Sequence, residues 1–364
     1  MATSTRGPSL TGLRRLDAPG LTTPSLRSRL AARPHVPAAA LAAVAGVITL
    51  YAALALDLPL RDPDGIAGPA YVRLPLIMAL LIALDIVPRS LWRAKRVRPI
   101  RREIVAVMHE RWPRQRVMLV VIGLLSFYVT YVSYRNLKSF LPFVRYDLAD
   151  PALLELDRAL LGADPAALLQ GVLGTGTAAY VLSAVYVFFL IFVPMSLGAA
   201  LVWTRDVARG FWFVTALGIN WMLGALSYYV LPSLGPVFVQ PASFAGLPST
   251  GVSRLQEALL GDRYAVLTDP HATDAMQGVA GFASLHVSIV FTAALIAHLV
   301  GLRLMVRIVL WTFFVLTCLA TVYFGWHYLI DDAAGIVIGA LAVWLGALAT
   351  GHEVRFTRRS PASA

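Results

Sequence analysis

Apolar residues run along this chain in eight long blocks: about 37–57, 70–88, 117–134, 177–203, 210–231, 283–302, 306–325 and 328–349. Crossing a hydrocarbon layer about 30 Å thick takes a helix of about 20 residues. A segment surrounded by lipid must satisfy its own backbone groups. The pattern therefore predicts an all-α, polytopic membrane helix bundle of about eight transmembrane helices. Arg73 and Asp85 interrupt the second block. In the first, Ala53-Leu54-Ala55 looks like a cleavage site, but the long preceding tail favours an uncleaved span. Residues 1–35 are rich in Arg, Ser, Thr and Pro without periodicity and are expected to form a disordered cytoplasmic tail. The expected organisation is this tail, two accessory helices with a basic loop over 36–116, a six-helix domain over 117–350, and a short tail over 351–364. There is no internal repeat.

Composition agrees with that class. The chain is 58% hydrophobic and 14% charged, with a mean hydropathy of +0.70, where a soluble domain carries about 25% charged residues. A net charge of +11 raises nucleic acid as a partner. The distribution of the charge argues against it, because the basic residues flank the spans. With the N-terminus inside, 23 of the 31 Lys and Arg lie on the inner side and 8 on the outer. This is the positive-inside asymmetry, and it places both termini in the cytoplasm. The 89–116 loop alone holds ten basic residues. It is either a topology anchor or a site for anionic lipid headgroups. Arg outnumbers Lys 29 to 2 and Ala is abundant, which suggests a GC-rich genome and a bacterial plasma membrane. The single cysteine, Cys318, can form no intramolecular disulfide.

Two short motifs carry candidate chemistry: Gly281-Phe282-Ala283-Ser284-Leu285-His286, and Tyr323-Phe324-Gly325-Trp326-His327-Tyr328-Leu329-Ile330-Asp331. Between them the chain runs out and back through two spans, turning near Arg303 and Arg307. Both histidines and Asp331 therefore return to one face, the extracytoplasmic one. His327 and Asp331 are spaced i, i+4 and share a helical face. The carboxylate can fix the imidazole tautomer and leave the other nitrogen as a nucleophile. His286 is placed to serve as general acid and base, and Ser284, near a helix N-terminus, to help bind phosphate. This set suggests phosphoester chemistry on a lipid. Other readings remain open: satisfied structural histidines, a proton relay in a transporter or scaffold, or a metal site that adds His271. His298, twelve residues beyond His286, is roughly 18 Å further along a helix and reaches the wrong side. Asp332 is expected to be a polar neighbour. Tyr180, Tyr186, Phe188, Phe189, Trp212 and Trp221 either line a lipid-tail groove or serve as packing and interface anchors.

The motifs resemble those of the type 2 phosphatidic acid phosphatase superfamily. Ala283-Ser284-Leu285-His286 stands where that family has Pro-Ser-Gly-His. His327 and Asp331 match the end of Ser-Arg-x5-His-x3-Asp, with Ala320 and Thr321 replacing its Ser and Arg. Ser-Leu-His followed by His-Tyr-x-x-Asp looks like the aureobasidin-resistance, or inositol phosphorylceramide synthase, branch. The resemblance implies His327 as nucleophile, Asp331 as its orienter, His286 as acid/base, a phosphohistidine intermediate, and no metal or other cofactor. Its Lys-x6-Arg-Pro signature has no clear equivalent. Arg254 and Arg263 stand in the corresponding loop, and Lys138-x6-Arg145 lacks the proline. Tyr134-Arg135-Asn136-Leu137-Lys138, with Asp157 and Gly162, looks like the loop leading into the core of that branch, so Arg135 and Lys138 are expected to bind phosphate or to be interfacial anchors. Leu231-Pro232-Ser233-Leu234-Gly235-Pro236 is expected to be a helix-ending turn in the pocket wall. The expected substrate is a phosphate-bearing lipid. The tilt is towards transfer of an inositol-phosphate-type headgroup, with a polyprenyl diphosphate or phosphatidic acid phosphatase as the alternative.

Overall fold

A computed structural model describes residues 30–63, 68–94, 99–204 and 206–354. Both expected tails lie largely outside the described residues, as do 95–98 of the basic loop. The described residues form helices joined by turns, with no strand among them. Twelve helices carry the architecture: α1 (Val36–Leu56), α2 (Ala70–Ala94), α3 (Ile100–Arg111), α4 (Arg114–Val144), α5 (Asp150–Leu161), α6 (Pro165–Leu173), α7 (Thr177–Gly198), α8 (Val207–Val230), α9 (Gly251–Thr268), α10 (Leu285–Leu299), α11 (Leu304–Tyr323) and α12 (Leu329–Thr350). The protein is a polytopic helical membrane protein.

Each apolar block contains a helix, but the match is not one to one. Seven helices are long and apolar enough to cross a membrane: α1, α2, α4, α7 with its π-helical continuation Ala199–Trp203, α8, α11 and α12. The sixth block yields only the 15-residue α10, about 22 Å long at 1.5 Å per residue, because the chain before Leu285 is spent on an irregular approach to the site. Stretches expected to be loops contain α3, α5, α6 and α9.

The third block differs most. It is expected to end at 134, yet α4 has 31 residues and continues to Val144, roughly 46 Å in all. Tertiary contacts carry the helix past its charged residues. Asn136 exchanges hydrogen bonds with the Arg61 backbone, at 2.9 and 2.8 Å. Gln277 donates to Ser139 Oγ and to the Lys138 carbonyl, and Tyr229 Oη donates to the Leu137 carbonyl. Arg135 and Lys138 therefore sit on a helix and not in a loop.

The centre of the bundle is α8, packed against α1, α4, α10 and α12. Small residues let the backbones approach: Gly218 meets Leu41, Gly224 meets Leu285, and Gly346 meets Ala216. Interhelical polar bonds fix the register, with Trp212 Nε1 donating to the Val343 carbonyl and Asn220 to Thr292 Oγ1. At the Arg-rich end, buried Asp85 accepts from Arg111 Nε (2.8 Å) and Trp112 Nε1 (3.1 Å) and also pairs with Arg89. This explains the charge that interrupts the second block.

Candidate active site

The N-termini of α10 and α12 are brought together by backbone. Ser284 N donates to the Asp331 carbonyl at 3.0 Å. Gly335, nearly two turns into α12, lies so close that a Cβ there would stand 2.4 Å from the Ser284 carbonyl. Two motifs 41 residues apart in number thereby meet, and the His286 and His327 rings lie 6.4 Å apart, centroid to centroid. His327 occupies the tight turn between α11 and α12, where the N–H groups of Trp326 and His327 both donate to the Thr321 carbonyl. Asp331 is fully buried. Its Oδ2 accepts from Tyr328 N at 2.9 Å and faces His327 Nδ1 at 3.4 Å. Nε2 is therefore the ring nitrogen that does not face Asp331.

Three elements outside the motifs hold this turn. Asp150 at the start of α5 is buried and accepts from the N–H groups of Leu234 and Gly235 and from Tyr328 Oη, all at 2.9–3.1 Å. Asp157, two turns later, accepts from Leu329 N at 2.8 Å, supplying an acceptor for the first turn of α12. Burial holds the Asp157 carboxyl above the usual range, while the Leu329 and Ile330 N–H groups oppose that rise. The 231–236 turn does more than end α8. Ser233 accepts from Gly281 N through its carbonyl and from Phe282 N through Oγ, and Val237 N donates to the Gly325 carbonyl. Gly235 is required here: its φ is +105° and a Cβ would stand 2.3 Å from the Trp326 carbonyl.

Around the histidines the walls are aromatic. Tyr186 stacks on His286 at 4.5 Å and on Trp326 at 5.1 Å, and Phe189 covers His286 at 4.1 Å. Opposite, Lys138 Nζ lies 5.0 Å from the Tyr228 ring and 5.9 Å from that of Tyr134, and Tyr134 packs on Trp221. His286, His327, Arg135 and Lys138 all line one cavity of about 1140 Å³, and no Asp or Glu is among the described residues that line it. Such a lining attracts an anion.

Ser284 is placed differently from the other expected site residues. Its side chain is fully buried and is not part of the cavity wall, and its N–H is taken by Asp331. It joins the two motifs. Asp332 is the polar neighbour expected, buried and accepting from Thr321 Oγ1 at 2.8 Å. Thr321, at the place of the family arginine, thus holds an acid. His271 hydrogen-bonds the Asp57 carbonyl, outside the cavity wall, and His298 is exposed at the far end of α10. Neither joins the histidine pair.

The family model for the PAP2 superfamily matches residues 151–345, more than half of the chain. The chain belongs to the PAP2 superfamily. It is accordingly a membrane phosphoesterase of the phosphatase type. Comparison with curated proteins and with solved structures gives no match. The matched segment contains His286, His327 and Asp331, while Arg135, Lys138 and Asp150 lie before it. Reading the sequence alone misses Asp150 as a site element, leaves Tyr186 and Phe189 between groove lining and packing, and names Tyr328 only within its motif. Asp150-Pro151 carries a helix-start signal, but nothing local shows that the same carboxylate binds a turn more than 80 residues away.

Proposed function

We propose that this PAP2 protein transfers the phosphoryl part of an anionic lipid through His327, at the extracytoplasmic face of the plasma membrane. The observation that carries the reading is the shared cavity, where two histidines and the cations Arg73, Arg135 and Lys138 face one space with no carboxylate among its described lining residues. His327 Nε2 attacks phosphorus and the bond to the lipid alcohol breaks. Protonated His286 gives its proton to the leaving oxygen, forming a phosphohistidine and a free alcohol. Water or a second hydroxyl, deprotonated by His286, then attacks phosphorus and breaks the P–N bond. Asp331 holds the tautomer and stabilises the imidazolium-like charge. Arg135 and Lys138 offset charge on the phosphoryl oxygens. Metal is not needed in this scheme.

Thr321 in place of the signature arginine favours a phosphodiester, which carries less charge than a monoester. That supports headgroup transfer of the inositol-phosphate type over hydrolysis of a polyprenyl diphosphate or phosphatidic acid. The placement of Arg135 and Lys138 on a helix, not in the resembled loop, gives no added support to that branch. The test is lipid mass spectrometry on wild type and His327→Ala with phosphatidic acid, phosphatidylinositol and polyprenyl diphosphate, with and without an alcohol acceptor. A headgroup moved to the acceptor by wild type alone is the expected result. Free phosphate alone would make it a phosphatase, and equal turnover by both proteins would remove His327 as nucleophile.

A further inference from the structure

The cavity does not end at the histidines. It continues away from them between α2, α4 and α7, where its wall becomes apolar. On α4 the lining positions Leu124, Tyr128, Tyr131 and Tyr134 recur every three or four residues, which is one helical face. On α7 the lining runs from Tyr186 to Leu197, roughly 16 Å of helix. The third wall, α2, is held by polar contacts near its outer end, by buried residues towards the other end, and by Met78, Leu81 and Ile82 packing on the core between. At one end Arg73 bonds Asp62 and Tyr128. At the other, its buried residues are Asp85, Ile86, Ser90 and Ala94. Between these anchors Leu74, Ile77, Met78 and Ile82 line the cavity, while Leu76, Leu80 and Leu84 are exposed and lie outside its lining. The groove is floored where Leu81 meets Gly198, whose Cβ position is 3.0 Å from Leu81 Cδ2.

A space of about 1140 Å³ exceeds the usual pocket for a drug-sized ligand, roughly 300–1,000 Å³. Its continuity with the His286, His327, Arg135 and Lys138 chamber restricts the occupant to a molecule with an anionic head and a long apolar chain. We propose that the α2–α4–α7 groove binds one apolar chain of the lipid substrate, and that α2 sets the chain length accepted. This rests on the phosphoryl-lipid reading above. It assigns the selectivity to a helix outside the matched segment 151–345.

The test compares dihexanoyl with dipalmitoyl phosphatidylinositol in Val121→Trp and Ile82→Trp, two substitutions at lining positions of α4 and α2. Each is expected to lower kcat/KM for the long-chain substrate about tenfold, the worth of roughly two buried methylenes, and to leave the short-chain substrate unchanged. Variants that turn over the short chain and treat both substrates alike overturn the proposal. Should the tryptophans prevent folding, a phosphatidylinositol with a diazirine at one chain end decides the matter on the unaltered protein. Label on Met78, Ile82 or Leu197 supports the groove, and label confined to outward residues such as Leu76 and Leu80 overturns it. The photolabel needs no turnover, so loss of the phosphoryl reading and loss of the groove are separately visible.

Discussion

Asp331→Asn tests the mechanism at its most exposed point. The substitution keeps the volume of a fully buried side chain and retains an oxygen to accept from Tyr328 N, so the turn that carries His327 should persist. It removes one negative charge 3.4 Å from His327 Nδ1. At an effective dielectric of about 20, unit charges at that separation attract by about 5 kcal/mol. Fully realised in the transition state, this would be worth three to four powers of ten in rate. Relaxation and the neighbouring Asp332 reduce it, so the expected loss in kcat is about a hundred- to a thousandfold, with KM within about threefold. The assay is initial-rate release or transfer from whichever lipid the wild type turns over, with thermal unfolding in micelles as control. An Asn variant of normal stability that retains more than about one-tenth of wild-type kcat would mean that less than about 1.4 kcal/mol of stabilisation passes through this contact. The orienting role would then be wrong.

Asp150→Ala leaves the donors at Leu234, Gly235 and Tyr328 without their acceptor, and at about 1–3 kcal/mol per buried group stability should fall by about 3–6 kcal/mol in chemical unfolding. Gly235→Ala forces a Cβ onto the Trp326 carbonyl at φ +105°; kcat is expected to fall at least about tenfold as the turn bearing His327 shifts, and unchanged kcat would show that the turn yields freely. Arg111→Met leaves the buried Asp85 charge with Arg89 and Trp112 alone and should cost about 1–3 kcal/mol, with part of the loss recovered in Asp85→Leu/Arg111→Met; the unfolding midpoints of single and double variants check this. His298→Gln, exposed at the far end of α10, should leave kcat and stability within assay error, since surface changes stay within about 0.5 kcal/mol.

Much of this architecture is written in the order of residues. Hydropathy alone places seven of the eight expected spans, because a helix in lipid needs only its own length and apolar side chains. The out-and-back hairpin likewise brings His286, His327 and Asp331 to one end, since the side of the membrane follows from the number of crossings. What the sequence could not specify is where a helix stops when its neighbours can stabilise polar turns. Asn136, Ser139 and Lys138 break the hydropathy of the third block, yet their bonds to Arg61 and Gln277 continue α4 to Val144. Only the tertiary structure turns Arg135 and Lys138 inward to the histidine cavity, takes Ser284 out of it, and gives Asp150 and Asp157 their part in holding the His327 turn. Those outcomes depend on contacts between residues from about 47 to more than 170 positions apart. Local periodicity sees one helix at a time, while the site is made where several helices end together.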